Sequence, residues 1–123
     1  MPKHEIPQTY QLIMHVKKSI MVQVGKLGRF QFPAGFYVYT GSAKKGMAHR
    51  LARHQAKMKK MHWHIDYLLA NKNVKIVDIK TFSQPECDIN LKTKGEIIAK
   101  RFGASDCRQN CGSHLLYTGD AQP

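Results

Sequence analysis

In the middle of the chain, an alternation of apolar and aromatic residues gives way to a four-residue period. Residues 35–41 alternate in the manner of a strand, which directs Tyr37 and Tyr39 to one face of a sheet. A helical pattern follows, in which Arg50 and His54 lie four residues apart and therefore share one edge of the helix. The pattern thus brings phenols, a guanidinium and an imidazole to one strand-to-helix junction, a combination that suits a phosphate.

The same periodicities along the whole chain predict an α/β (α+β) fold, with a small antiparallel or mixed β-sheet flanked by helices. Glycine, proline and paired lysines separate the apolar runs and mark the turns. The first four strands are predicted to form one antiparallel meander. The predicted strands are residues 10–16, 20–24, 29–32, 35–41, 74–82 and 114–118, and the predicted helices are residues 46–59, 62–73 and 86–101.

Length and cysteine content limit the class of protein. A chain of 123 residues suffices for one modest core, so a single domain over residues 1–123 is predicted, with residues 1–7 as a loose leader. No stretch approaches the ~20 apolar residues of a membrane span, and the N-terminus lacks the apolar core of a secretory signal. Three cysteines cannot all pair with one another, which favours a reducing, cytoplasmic location.

The charge is strongly positive and unevenly distributed. The chain has 20 Lys and Arg against 8 Asp and Glu, a formal net charge of +12, and no carboxylate occurs between Glu5 and Asp66. A partner carrying many phosphates is the natural complement of such a surface. No segment joins these bases to a continuous apolar face, which disfavours a membrane surface. The cations in this run are Lys17, Lys18, Lys26, Arg29, Lys44, Lys45, Arg50, Arg53, Lys57, Lys59 and Lys60.

Several local motifs, taken in order, resemble one known superfamily. The blocks YVYTGSA, RLARH, HWHIDYLL, FGASDC and SHLLY, with Glu86-Cys87 between the third and fourth, span nearly the whole chain. Together they resemble the GIY-YIG endonuclease superfamily, in particular a branch of small, mostly archaeal and bacterial proteins. Some members of that branch are fused to DNA-repair glycosylases, and most lack an assigned activity.

The resemblance implies a metal-dependent endonuclease that cuts phosphodiester bonds in DNA, in repair or in the processing of single-stranded or branched structures. One departure is that Gln8 and Thr9 stand where the superfamily name has Gly and Ile. The implied metal ligand is Glu86, for one Mg²⁺ or Mn²⁺ ion. The implied catalytic residues are Tyr39, Tyr10, Arg50, His54 and Glu86, and the predicted nucleic-acid contacts are Lys44, Lys45, Arg53, Lys57, Lys59, Lys60 and His64.

Elementary chemistry supports these roles. Arg50 offers a bidentate, permanently charged clamp for phosphate oxygens, and a carboxylate such as Glu86 suits a hard ion. A phenol, with an ordinary pKa near ~10, is a poor base unless neighbouring cations lower that value. We expect Arg50, the metal and His54 to lower it for Tyr39, with Tyr10 orienting the attacking water, and the reverse assignment of the two tyrosines stays open.

A second cluster of residues suggests zinc. Cys107, Cys111 and His114 have C-x3-C-x2-H spacing, and Cys87 or one of His62 and His64 could complete a tetrahedral site. The competing interpretation is that the thiols are internal structural residues. The rival function, from a different class, is a non-catalytic nucleic-acid-binding module that keeps the basic cleft, with or without a stabilising zinc ion. Cleavage of RNA is a third, less favoured alternative.

Overall fold

The structure is a computed structural model that describes residues 7–43, 45–56, 60–103 and 112–123. It confirms a mixed α+β fold with an antiparallel five-stranded sheet, a two-stranded sheet and three helices. Within the described part of the chain, no helix combines the length and apolar character needed to cross a membrane. The strands are β1 Thr9–Val16, β2 Ile20–Val24, β3 Gly28–Phe32, β4 Gly35–Ser42, β5 Val74–Phe82, β6 Glu96–Ile97 and β7 Leu115–Gly119, and the helices are α1 Met47–Gln55, α2 His64–Leu69 and α3 Glu86–Lys92.

The larger sheet has the order β5-β1-β4-β7-β6, and every adjacent pair is antiparallel. Strand β1 is buried along almost its whole length because both of its faces are covered. On one face Tyr10, Leu12 and Met14 join the main apolar core, to which α2 contributes Ile65. On the other face the Gln11 side chain donates a hydrogen bond to Thr93, just after α3. The sheet thus separates α3 from α1, α2 and the two-stranded sheet.

The predicted four-strand meander is wrong. Strands β2 and β3 pair only with each other, as a separate two-stranded sheet, while β4 returns to pair with β1. The reason lies in the hairpin itself, whose inward residues need burial of their own and pack toward α2 and the main core. Strand β5 instead pairs with the edge of β1 that β4 leaves open. Those inward residues are Ile20, Val22, Val24 and Phe32.

All three predicted helices are shorter in the structure, and α2 covers only His64–Leu69 of the predicted residues 62–73. Helix α1 ends at Gln55, because Ala56 is extended and its N–H bonds to Arg53 O. Helix α3 ends at Lys92 rather than residue 101. A Cβ on Gly95 would lie 2.8 Å from the Leu116 Cβ. The glycine therefore allows the chain to approach β7 closely, and residues 96–97 pair with β7 as a strand.

Candidate functional site

The centre of the site is a group of three side chains from β1 and α1. Tyr10 is only 1 % exposed, and its hydroxyl lies 2.6 Å from His54 Nε2. The Arg50 guanidinium is close enough to Tyr10 for its charge to oppose the rise that burial gives to the pKa of the phenol. A phenol and an imidazole nitrogen at this distance can pass a proton between them. The predicted shared edge of Arg50 and His54 is therefore confirmed, and Tyr10 is the group on which they converge.

Two further contacts fix the orientation of Arg50. Its Nη1 donates to the Ser42 carbonyl at 2.7 Å, and its Cζ lies 4.3 Å from the centre of the Trp63 ring. Arg53 lies over the same indole at 4.3 Å. Stacking on an aromatic face and a backbone acceptor restrict the guanidinium without neutralising its charge. Arg50 can therefore still attract an anionic group.

Position 41, in the Tyr39-Thr40-Gly41 sequence, needs a glycine for steric reasons. A Cβ on Gly41 would lie 2.5 Å from both Cζ and the hydroxyl oxygen of Tyr10, which face it across the β1–β4 pair. Any larger residue would displace the Tyr10 hydroxyl from His54. Tyr39 lies beside this group, with its ring centre 6.4 Å from that of Tyr10 and 6.3 Å from that of His54.

Glu86, at the first position of α3, is held by a buried histidine. Its Oε2 lies 2.8 Å from His114 Nδ1, and the Cys87 Sγ lies 3.9 Å from the Nε2 of the same ring. The backbone of His114 is itself fixed, since its carbonyl accepts from Thr40 N–H and its N–H donates to the Phe102 carbonyl. The Glu86 side chain is 30 % exposed. It is close enough to Tyr10 and Tyr39 for its negative charge to raise the pKa of both phenols.

In the absence of a metal ion, burial raises the pKa values of both phenols instead of lowering them. The pKa of Tyr10 rises to about 12, although Arg50 opposes this. Burial, reinforced by Tyr10 and Glu86, raises the pKa of Tyr39 well above its ordinary value. Both phenols are therefore protonated near neutral pH. Either one can act as a base only by passing its own proton on, and Tyr10 has an imidazole nitrogen at 2.6 Å to receive it.

The predicted nucleic-acid contacts fall into three groups. Lys45 and Lys60 are exposed, whereas Lys44, Lys57 and Lys59 lie outside the described residues. Arg53 forms a bidentate ion pair with Asp66, in which Nη1 and Nη2 each lie 2.9 Å from a carboxylate oxygen. His64 accepts the Gly103 N–H at Nδ1, and burial lowers its pKa. Arg53 and His64 thus have clear structural roles.

Only some of the proposed zinc ligands lie within the described residues. Cys107 and Cys111 lie outside the described residues. Cys87 and His114 are close together, but Glu86 contacts the opposite ring nitrogen of His114. The two nitrogens of an imidazole point in different directions. A single ion bound to one nitrogen of His114 therefore cannot be bound by Glu86 and Cys87 together. Among the residues that the structure describes, no group of three His, Cys, Asp or Glu side chains is arranged to hold a metal ion.

Sequence reasoning missed the support around these groups. Trp63 packs against the apolar core and also stacks on Arg50. His114 was assigned to zinc, although it lies against Glu86. Gly103 has a φ of +65°, and a Cβ there would lie 2.9 Å from the Tyr39 ring. Of the three, only Gly103 carried a usable signal, since a glycine in a polar loop often marks a positive φ.

Comparisons with known proteins give one match. The family model described as "Domain of unknown function DUF123" matches residues 9–123. No curated protein matches the chain, and no solved structure does. The matched region includes every element of the fold and every residue of the site described above. The chain therefore belongs to the family of the domain of unknown function DUF123.

Proposed function

We propose that this protein is a metal-dependent endonuclease that hydrolyses phosphodiester bonds in DNA, with the chemistry of the GIY-YIG superfamily that its motifs resemble. The observation that carries the proposal is the hydrogen bond between Tyr10 and His54, with the charges of Arg50 and Glu86 within electrostatic range of Tyr10. A phenol, a guanidinium and a carboxylate supply a proton acceptor, a clamp for an anion and a ligand for a hard ion. Action in a cytoplasmic setting, in DNA repair or processing, is part of the proposal.

Proton transfer in this scheme runs through Tyr10. The attacking water gives its proton to the Tyr10 oxygen as the Tyr10 proton moves to His54 Nε2, 2.6 Å away. The protein never needs to store a phenolate, which its burial disfavours. Arg50 stabilises the negative charge that develops on the phosphate oxygens. Tyr10 is therefore assigned as the base, and Tyr39 orients the water, the reverse of the first sequence-based expectation.

Glu86 fits the role of a ligand to a hard divalent ion. One carboxylate oxygen lies against His114, and the other, Oε1, has no protein partner in the described part of the chain. The side chain is partly exposed, so water and a phosphate can reach it. An Mg²⁺ or Mn²⁺ ion at this carboxylate would polarise a phosphoryl oxygen and shield the leaving oxygen.

The proposal predicts that Glu86→Gln abolishes cutting while DNA binding remains. Supercoiled, single-stranded and branched DNA are incubated with Mg²⁺ or Mn²⁺, and products are measured alongside binding in EDTA. The wild type should cut at least one substrate, and the variant should lose roughly 10²-fold or more of the rate, as expected when a group that acts in the transition state is removed. Asp88→Asn, the same charge change at an exposed position of α3, is the matched control and should cut normally.

The same assay separates the enzyme from the rival function. A wild type that binds DNA and cuts none of the substrates under any metal condition would contradict the proposal and favour a binding module. Equal cutting by wild type and Glu86→Gln would remove Glu86 from the mechanism.

A further inference from the structure

The two-stranded sheet presents one face to solvent and buries the other. On the outward face Gln23 pairs with Arg29, and Met21 pairs with Gln31 across the strands. All four residues are exposed, Met21 by 51 %. Two amides, a guanidinium and a flexible thioether thus form a largely polar surface on a ribbon that, among the described residues, pairs with no other strand. We call strands β2 and β3, with their outward face, the ribbon.

Lysines lie at both ends of this outward face. Lys17 and Lys18 precede β2, and Lys26 occupies the turn between β2 and β3, where Leu27 N–H bonds to the Val24 carbonyl. All three lysines are exposed. No carboxylate occurs in the sequence between Glu5 and Asp66, and none of the ion pairs among the described residues involves these lysines or Arg29. The ribbon therefore carries a positive charge that nearby side chains do not neutralise.

The ribbon is fixed on the same side of the main sheet as the candidate site. Phe32 at the end of β3 packs edge-on against Phe102 at 6.3 Å, and Phe102 packs against Tyr39 at 6.2 Å. At the other end, Gly25 approaches Tyr67 of α2 so closely that a Cβ there would lie 3.2 Å from the tyrosine hydroxyl. A ligand on the ribbon is thus held at a defined position relative to Tyr39.

We propose that the ribbon binds in the major groove of duplex DNA, with its outward face toward the base edges. The major groove of B-form DNA, about 12 Å wide, admits a two-stranded ribbon, whereas the deep, narrow major groove of duplex RNA does not. Arg29 can bond to guanine, while the flanking lysines contact phosphates. The side-chain nitrogens of Gln23 and Gln31 donate to the Gly25 carbonyl and the Ser19 hydroxyl, so their oxygens are the atoms that can accept from a base amino group. The inference rests on the proposed function for its DNA partner, and it adds a contact surface outside the catalytic group.

The first test measures how DNA binding depends on salt. Each phosphate contact contributes roughly 0.9 to the slope of log K against log salt on duplex DNA. The variant Lys17→Ala/Lys18→Ala/Lys26→Ala should therefore reduce the magnitude of this slope by about 2 to 3, measured in EDTA on a short duplex. The control Lys72→Ala/Lys75→Ala/Lys80→Ala removes the same charge from exposed positions on and before β5 and should leave the slope unchanged.

The second test asks which groove is occupied. Dimethyl sulfate methylates guanine N7 in the major groove, so the wild type should protect guanines in a bound duplex from methylation. Gln23→Ala/Arg29→Ala/Gln31→Ala should lose this protection and bind at least tenfold more weakly, because contacts to base edges are removed. These exposed substitutions should leave the urea midpoint of unfolding close to that of the wild type. Duplex RNA of the same sequence should bind more weakly than the DNA.

The outcomes separate this inference from the proposed function. Slopes that fall equally in the ribbon and β5 variants, or equal binding of DNA and RNA duplexes, would overturn the ribbon assignment even if the protein cuts DNA. Ribbon-dependent protection of guanines by a protein that cuts no substrate would support the ribbon and contradict the endonuclease. Failure of the wild type to bind duplex DNA would overturn the ribbon assignment directly.

Discussion

Replacing Tyr10 with Phe should lower the rate of DNA cleavage by roughly 10²–10⁴-fold, the usual effect of removing a general acid or base. The substitution deletes one hydroxyl, the group that lies 2.6 Å from His54 Nε2. Without it, the attacking water has no direct path for its proton to His54. Binding to DNA should change little, because the cations that contact phosphates are untouched. Single-turnover cleavage and equilibrium binding measure the two effects separately.

Two matched variants test the assignment of the base. Tyr37 lies on β4 like Tyr39, but its hydroxyl donates to the Pro33 carbonyl and not to His54. Tyr37→Phe should therefore cut at the wild-type rate. Tyr39→Phe should have a smaller effect than Tyr10→Phe. If Tyr39→Phe were the more damaging substitution, Tyr39 would be the base and the proton path through His54 would be wrong.

Replacing Asp66 with Ala should reduce the free energy of unfolding by about 3 kcal/mol, the lower part of the range for breaking a buried ion pair. The Asp66 side chain is fully buried, and the Arg53 side chain is 23 % exposed. Both Asp66 oxygens accept from the Arg53 guanidinium, and Oδ2 also accepts the backbone N–H groups of His62 and Trp63. The substitution would leave these donors without their acceptor in the segment that supports Arg50.

Urea denaturation of wild type and variant at neutral pH measures this loss. Asp78→Ala, at an exposed position of β5, is the control and should cost far less. A loss in Asp66→Ala no larger than in Asp78→Ala would mean that the buried carboxylate does not stabilise α1 against α2.

The same carboxylate sets a pH dependence. Burial alone would raise the pKa of Asp66, but the hydrogen bonds and charge of Arg53 and the two backbone N–H groups outweigh it, and the folded pKa lies below the ordinary 3.8. Its contribution to stability is therefore fully present above 3.8 and is lost as the pH falls through the lower, folded value. The difference in unfolding free energy between wild type and Asp66→Ala should accordingly shrink only below about pH 4.

Local patterns predicted the strands well and the sheet order poorly. The limits of β2 and β5 were predicted correctly because alternation and flanking turn residues are local signals. The separate ribbon was missed because alternation shows which side chains are buried and not which partner buries them. Helix α3 was predicted too long, since Gly95 acts through its close approach to Leu116, a contact far away in sequence.

The candidate site was predictable where it depends on helix geometry. Arg50 and His54 converge because four residues make about one turn. The contact between Glu86 and His114 joins residues 28 positions apart, and no local pattern encodes it. The direction of the tyrosine pKa shifts also depends on burial, which outweighs the nearby cation that the sequence revealed.

A divalent ion held by Glu86 beside the tyrosines of β1 and β4 is the core of the proposed mechanism. Mn²⁺ broadens the nuclear magnetic resonances of groups close to it, so a titration of the isotope-labelled protein locates the ion directly. We expect substoichiometric Mn²⁺ to broaden first the ring signals of Tyr10, Tyr39 and His114, and Glu86→Gln to abolish this effect. Broadening that persists in Glu86→Gln, or that begins at residues remote from this group such as Asp78, would show that Glu86 does not hold the ion.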